Sequence, residues 1–154
     1  MRYIPVHDVA STLSDEIRSY LLAFRCLTGC DTTSQFSGIG NKRAWKVFTE
    51  CPHLLSRLVK THVVTSDLHA SVEQFVDQLH SPSRSLQTIE DVRLKLFHQC
   101  KTLDRLPPTE DTLMQHVARV NYKSLVWHCS LECNPHLPLH HTAGWRLHCN
   151  QVKW

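Results

Sequence analysis

Gly38, Ile39 and Gly40 run directly into Asn41, Lys42 and Arg43, and Lys46 follows one turn later. Two glycines around one apolar residue suit a tight turn. A residue without a Cβ accepts positive φ and lets another backbone come close. Ile39 can anchor such a turn in an apolar layer. A helix opening at Asn41 would turn its first amides and its positive dipole end outward, which is how proteins receive phosphate. Lys42, Arg43 and Lys46 put charge where a sugar-phosphate backbone would pass. From Gly38 to Lys60 five basic residues (Lys42, Arg43, Lys46, Arg57, Lys60) stand against Glu50 alone, an excess of four beside a whole-chain net charge of +3. The clustering points to a polyanion, and a basic helix start on an ordinary solvated face is the plainer alternative.

Asp31, seven residues before Gly38, is a candidate metal ligand. Two-metal phosphodiester hydrolysis needs several carboxylates around Mg²⁺ ions roughly 3.5–4 Å apart. Upstream of Asp31 the chain offers Asp8, Asp15 and Glu16, each with a role at a helix start. No nuclease activity is therefore expected of this polypeptide by itself. A second constellation is Cys129, Cys133, His136 and His140, spaced C-x3-C-x2-H-x3-H, with His141, His148 and Cys149 close by. Zinc takes four such ligands tetrahedrally. The usual longer Cys-to-His spacer is missing, and a chain with twelve histidines gathers them by chance, so zinc is the weaker reading. Cys26 and Cys30 read as small buried residues, His116 as a packed histidine, and Trp45 as a core aromatic before a base-stacking one.

Helices must position these groups. Tyr3, Ile4 and Val6 suggest one short N-terminal strand that Pro5 limits. Asp8 could cap a short helix through Leu13. Ser14 opens a second helix with Ile17, Leu21 and Phe24 on one face, which Gly29 can end. Asn41 caps a helix carrying Ala44, Val47 and Phe48, and Pro52 breaks it and begins a short one through Leu58. Asp67 to His80 is periodic in Leu68, Val72, Phe75, Val76 and Leu79. Ser81 to Ser85 reads as a loop, and Thr88 with Asp91 as a capping box. Thr109 caps a long helix to about His128, with Leu113, Val117, Val120 and Leu125 as its stripe. After Cys129 no period remains. The fold class expected is mainly α, a helix-hairpin-helix region with one short strand, further helices and an irregular tail. Its segments are 1–62, 63–128 and 129–154.

The segment "LTGCD", the step from Asp31 to Gly38, and "GIGNKRA" resemble the flap-endonuclease family of structure-specific 5′ nucleases within the PIN-like fold. The similarity covers about Arg2 to Phe48. It implies that Asp31 matches an aspartate that helps hold catalytic Mg²⁺. It also implies that Gly38 to Arg43 match a hairpin gripping duplex DNA, often with a monovalent cation on backbone carbonyls. Thr28, Thr32 and Asn41 depart from that family's leucine, tyrosine and proline. Downstream, Phe75-Val76, Arg93, Leu96-Phe97, Pro107-Pro108-Thr109, His116, Arg119, Tyr122 and Gly144-Trp145 resemble a large group of uncharacterised animal proteins associated with mobile elements. That resemblance implies that Trp127 to Trp145 docks through its Trp, Pro and Gly-Trp residues. On this reading the chain is the back part of a nuclease-like protein.

Apolar content of 42% and charge of 20% fit a globular chain and argue against wholesale disorder. No apolar run approaches the roughly 20 residues of a membrane span, and the first residues lack a signal-peptide core. Seven cysteines without a disulfide-scaffold spacing suggest a reducing intracellular compartment, nuclear or cytoplasmic. The function expected is sequence-independent DNA-backbone binding. Its rivals are a Mg²⁺-dependent nuclease completed by a further N-terminal segment or a partner chain, and a non-catalytic protein-interaction module from a mobile element.

Overall fold

Ser14 accepts a hydrogen bond from the Ile17 amide at 3.3 Å and so begins α2, Asp15–Thr28. Thr109 does the same for Thr112 at α6, Glu110–His128. Such caps supply acceptors for amides that the helix itself leaves unbonded. These elements belong to a computed structural model that describes residues 3–58, 63–81, 88–99, 102–148 and 151–153. The chain is mainly helical, as expected. Four further helices are α1, Val6–Ser11, α3, Asn41–Glu50, α4, Ser66–His80, and α5, Ile89–Gln99. Among the described residues none is long and apolar enough to cross a membrane.

One core joins them. Leu27 of α2, Phe48 of α3, Phe75 of α4 and Leu113 of α6 are completely shielded from solvent within a single cluster. The helical spacing of the apolar positions explains this, since residues three and four apart share a face. Helix α2 packs along α6, α3 lies against both α2 and α4, and α5 lies on α4. The core therefore runs through residues on both sides of position 62. The capping box of α5 is present: Asp91 accepts from the Thr88 amide at 3.2 Å and Thr88 Oγ1 accepts from the Asp91 amide at 3.3 Å.

Several expectations need correction. Residues 3–5 form no strand, and α1 begins at Val6 with Pro5 in the cap position. The fixed φ of proline suits a residue leading into a helix, and its carbonyl accepts the amides of Asp8 and Val9. Asp8 is thus a first-turn acid and not the cap. Helix α4 starts at Ser66, capped by Thr65, which accepts from Leu68. The tail is not wholly irregular. It contains β1, Arg146–His148, paired antiparallel with β2, Gln151–Lys153, with Leu147 opposite Val152. Of the loop expected over Ser81 to Ser85, positions 82–85 lie outside the described residues, as do Lys60 and Cys149.

The tail docks on α6. Trp145 is buried with its ring edge-on to Tyr122, and Arg119 donates to the Gly144 carbonyl at 3.0 Å. Arg93 of α5 donates to the Pro107 carbonyl, fixing the approach to α6.

Asp77 of α4 carries a titration prediction. Burial, with Glu73 and Asp91 nearby, pushes its carboxyl from 3.8 up to about 7. Its Oδ1 is shielded and has no hydrogen-bond partner among the described residues. A carboxyl raised in the folded state contributes stability that is fully present below the unfolded pKa and is lost as pH rises through the folded one. Asp77→Asn should therefore stabilise the chain by about 1–2 kcal/mol near pH 8, after discounting for solvent screening, and by nothing near pH 4. Urea midpoints of parent and variant at the two pH values check this. An equal gain at both would show that charge is not the cause. His80 works in the opposite sense. Burial and the nearby Arg43 hold its ring down at about 4, so its contribution is lost as pH falls. Only the parent-to-variant difference isolates Asp77.

Candidate functional site

The exit of α2 is fastened before the chain reaches the hairpin. Thr33 Oγ1 donates to the Cys26 carbonyl at 2.7 Å, the Nε2–H of His116 donates to the Leu27 carbonyl at 2.9 Å, and Arg25 donates to the Gly29 carbonyl. The carbonyls of Cys26, Leu27 and Gly29 are thus occupied, which a helix end otherwise leaves to water. His116 is buried, and burial holds its ring below the ordinary range. It is a packed histidine with a structural bond. Gly29 has φ +113°, and a Cβ there would fall 2.2 Å from Gln35 Cγ. This turn needs glycine.

Beyond it, Gly38 lies at φ +72° and is exposed, Ile39 packs against the core, and Gly40 is exposed with nothing within 4 Å of a notional Cβ. Gly40, not Asn41, is the cap of α3, with no side-chain bond; its carbonyl accepts the Arg43 and Ala44 amides. Asn41 is the first helical residue, because extended backbone at Gly40 already makes the turn into the helix. Among the described residues the amides of Gly38, Gly40, Asn41 and Lys42 make no hydrogen bond within the chain. Lys42, Arg43 and Lys46 are all exposed, and Lys46 lies 3.9 Å from Glu50. The Ile39 amide is taken by the Phe36 carbonyl.

One cation was not legible as part of this surface. Arg105, in the 3₁₀ turn Leu103–Arg105, brings its Cγ to 3.5 Å from where a Cβ of Gly38 would stand, and it is exposed. Its sequence setting, before Leu106 and two prolines, gives no sign of this. Trp45 is neither core nor free. It is 37% exposed and meets Phe24 and Phe48 edge-on.

Asp31 takes a different part. Its carboxylate is exposed and pairs with Lys123 of α6 at 3.3 Å, and Lys123 in turn lies over the Trp127 ring. The Cys30 thiol and this lysine hold the Asp31 carboxyl below its ordinary range. Among the described residues no group of three or more His, Cys, Asp or Glu comes together to hold a metal. Asp31 has a cation for a neighbour where a Mg²⁺ site needs further carboxylates. The residues present do not fit that metal. Cys129, Cys133, His136 and His140 are likewise not gathered into a zinc site. Cys133 and His136 are exposed, the Cys129 thiol is raised by desolvation and Glu132, and His140 meets His141 edge-on. Cys26 is completely buried, which pushes its thiol up to about 11, while Cys30 is half-buried and hydrogen-bonded to Thr33 at 3.1 Å.

No family model, no curated protein and no solved structure matches the chain.

Proposed function

We propose that the chain binds DNA through its phosphate backbone, without base specificity, using the turn Gly38–Gly40 and the start of α3. The observation that carries this is the exposed turn with unbonded amides at Gly40, Asn41 and Lys42, beside the side chains of Lys42, Arg43 and Lys46. Amides at a helix start and flanking cations are the groups that hold phosphate. Arg105 adds a fourth cation to that face. The reading also draws on the resemblance of this segment to the hairpin of flap-endonuclease-like 5′ nucleases, of which the chain would be a hairpin-bearing region. Asp31 is assigned no catalytic step, since its carboxylate pairs with Lys123 and, among the described residues, no group of three or more His, Cys, Asp or Glu gathers to hold a metal.

Equilibrium binding to two unrelated duplex sequences at graded salt tests the reading. Affinities should be alike and should fall steeply as salt rises, because each phosphate contact releases condensed counterions. A strong preference for one sequence, or affinity indifferent to salt, would overturn it.

A further inference from the structure

Cys26 and Cys30 stand four positions apart at the exit of α2, where the chain turns through Gly29 at φ +113°. Neither is in a disulfide, and their thiols interact directly. The two differ in access. Cys26 is completely shielded, while Cys30 is half-buried. Thr33 bonds to both residues: its hydroxyl donates to the Cys26 carbonyl at 2.7 Å and accepts from the Cys30 amide at 3.2 Å. The Cys30 sulfur lies 3.1 Å from that hydroxyl and 3.6 Å from the hydroxyl of Thr32. Burial opposes ionisation of the Cys30 thiol, and Asp31 adds to that. Thr33 and Thr32 outweigh them and hold the thiol below its ordinary range. The thiolate is the form that attacks an oxidant.

We propose that Cys26 and Cys30 are a thiol pair oxidised by peroxide, with Cys30 meeting the oxidant and Cys26 closing a disulfide onto it. The Cys30 thiolate attacks one peroxide oxygen; the S–O bond forms, the O–O bond breaks, and hydroxide leaves. Cys30 is then a sulfenic acid, which condenses with a neighbouring thiol, and Cys26 is the thiol beside it. The Cys26 sulfur attacks the Cys30 sulfur. The S–S bond forms, the S–O bond breaks, and the hydroxyl departs as water with the Cys26 proton. With the proton released when Cys30 ionised, two thiols lose two electrons and one peroxide becomes two waters. Access assigns the roles. A solute cannot reach a shielded thiol, whereas a thiol already in contact needs no path from solvent. Redox-active cysteines are characteristically low in pKa, accessible and next to a resolving partner, and Cys30 combines these properties. The Cys129 thiol, raised by desolvation and Glu132, does not. The proposal is independent of whether the hairpin meets DNA.

The test treats the reduced, folded full chain with graded hydrogen peroxide. The chain is then unfolded, its remaining thiols are alkylated, and tryptic peptide 26–42 is read by mass spectrometry. That peptide contains Cys26 and Cys30 and no other cysteine. In the parent it should lose both labels together and become two hydrogens lighter than its reduced, unlabelled form, while Cys133 still takes label. Dithiothreitol should restore both labels. In Cys30→Ser, Cys26 should stay reduced at the same peroxide concentration. In Cys26→Ser, dimedone should capture a sulfenic acid on Cys30. A peptide that keeps both labels after Cys133 has lost its own would overturn the proposal, as would oxidation of Cys26 in Cys30→Ser. Should Cys26→Ser not fold, the parent peptide and Cys30→Ser still decide.

Discussion

If the turn binds DNA as proposed, Lys42→Ala/Arg43→Ala should lower affinity for duplex DNA roughly sixtyfold at an ionic strength near 0.1 M, by the same factor for unrelated sequences. The size follows from counterion release, since two lost phosphate contacts remove two terms from the salt-dependent part of the binding free energy. The uniformity across sequences follows because backbone contacts fix register and carry no base information. The fold should be unharmed. Both side chains are exposed, and neither contributes to the core. Alanine is also a better helix former than the residues it replaces. Far-UV circular dichroism and urea midpoints matching the parent, together with reduced binding in a fluorescence-anisotropy titration, are the expected pair of results. A loss confined to one sequence would mean that the side chains touch bases.

Phe48→Ala has the second large effect, and it acts on the frame that aims the hairpin. Phe48 is fully buried and stacks on Phe24 of α2, with centroids 4.4 Å apart and planes 11° from parallel, and Trp45 closes the group edge-on. Removing the ring leaves a void between α2 and α3 that close-packed neighbours fill only in part. The expected loss is about 3–5 kcal/mol, a large share of the roughly 5–15 kcal/mol that holds a typical domain together. Phe48→Leu should cost much less, because most of the volume is kept. Urea unfolding checks both. A cost for alanine under about 1 kcal/mol would mean that the α2–α3 contact is not part of the cooperative core.

The helices were legible because their signals are local. Ser14, Thr88 and Thr109 announce helix starts through a side-chain oxygen followed by acids and a periodic apolar face, and each acts as a cap in the structure. The exposed glycine turn and its cations could be read for the same reason, as all their parts lie within nine residues. Contacts between distant segments were not legible. His116 reaches the Leu27 carbonyl across 89 positions and Lys123 reaches Asp31 across 92, and only the packing of α2 along α6 brings them together. Arg105 reaches Gly38 in the same manner. The misread strand at the N-terminus has a related cause. Tyr3, Ile4 and Val6 suit extended backbone, yet β propensity depends on a partner to pair with, and residues 3–5 have none in the described sheet, which pairs only β1 with β2. Two strands of three residues each in the tail are too short to leave a periodic trace.

If the turn and the start of α3 hold phosphate, the slope of log affinity against log salt should differ between the parent and Lys42→Ala/Arg43→Ala. The slope of the variant should be shallower by about 1.8, the value for two lost contacts to duplex DNA. Equal slopes for the two proteins would mean that Lys42 and Arg43 never meet a phosphate, and that the turn is not a backbone-binding surface.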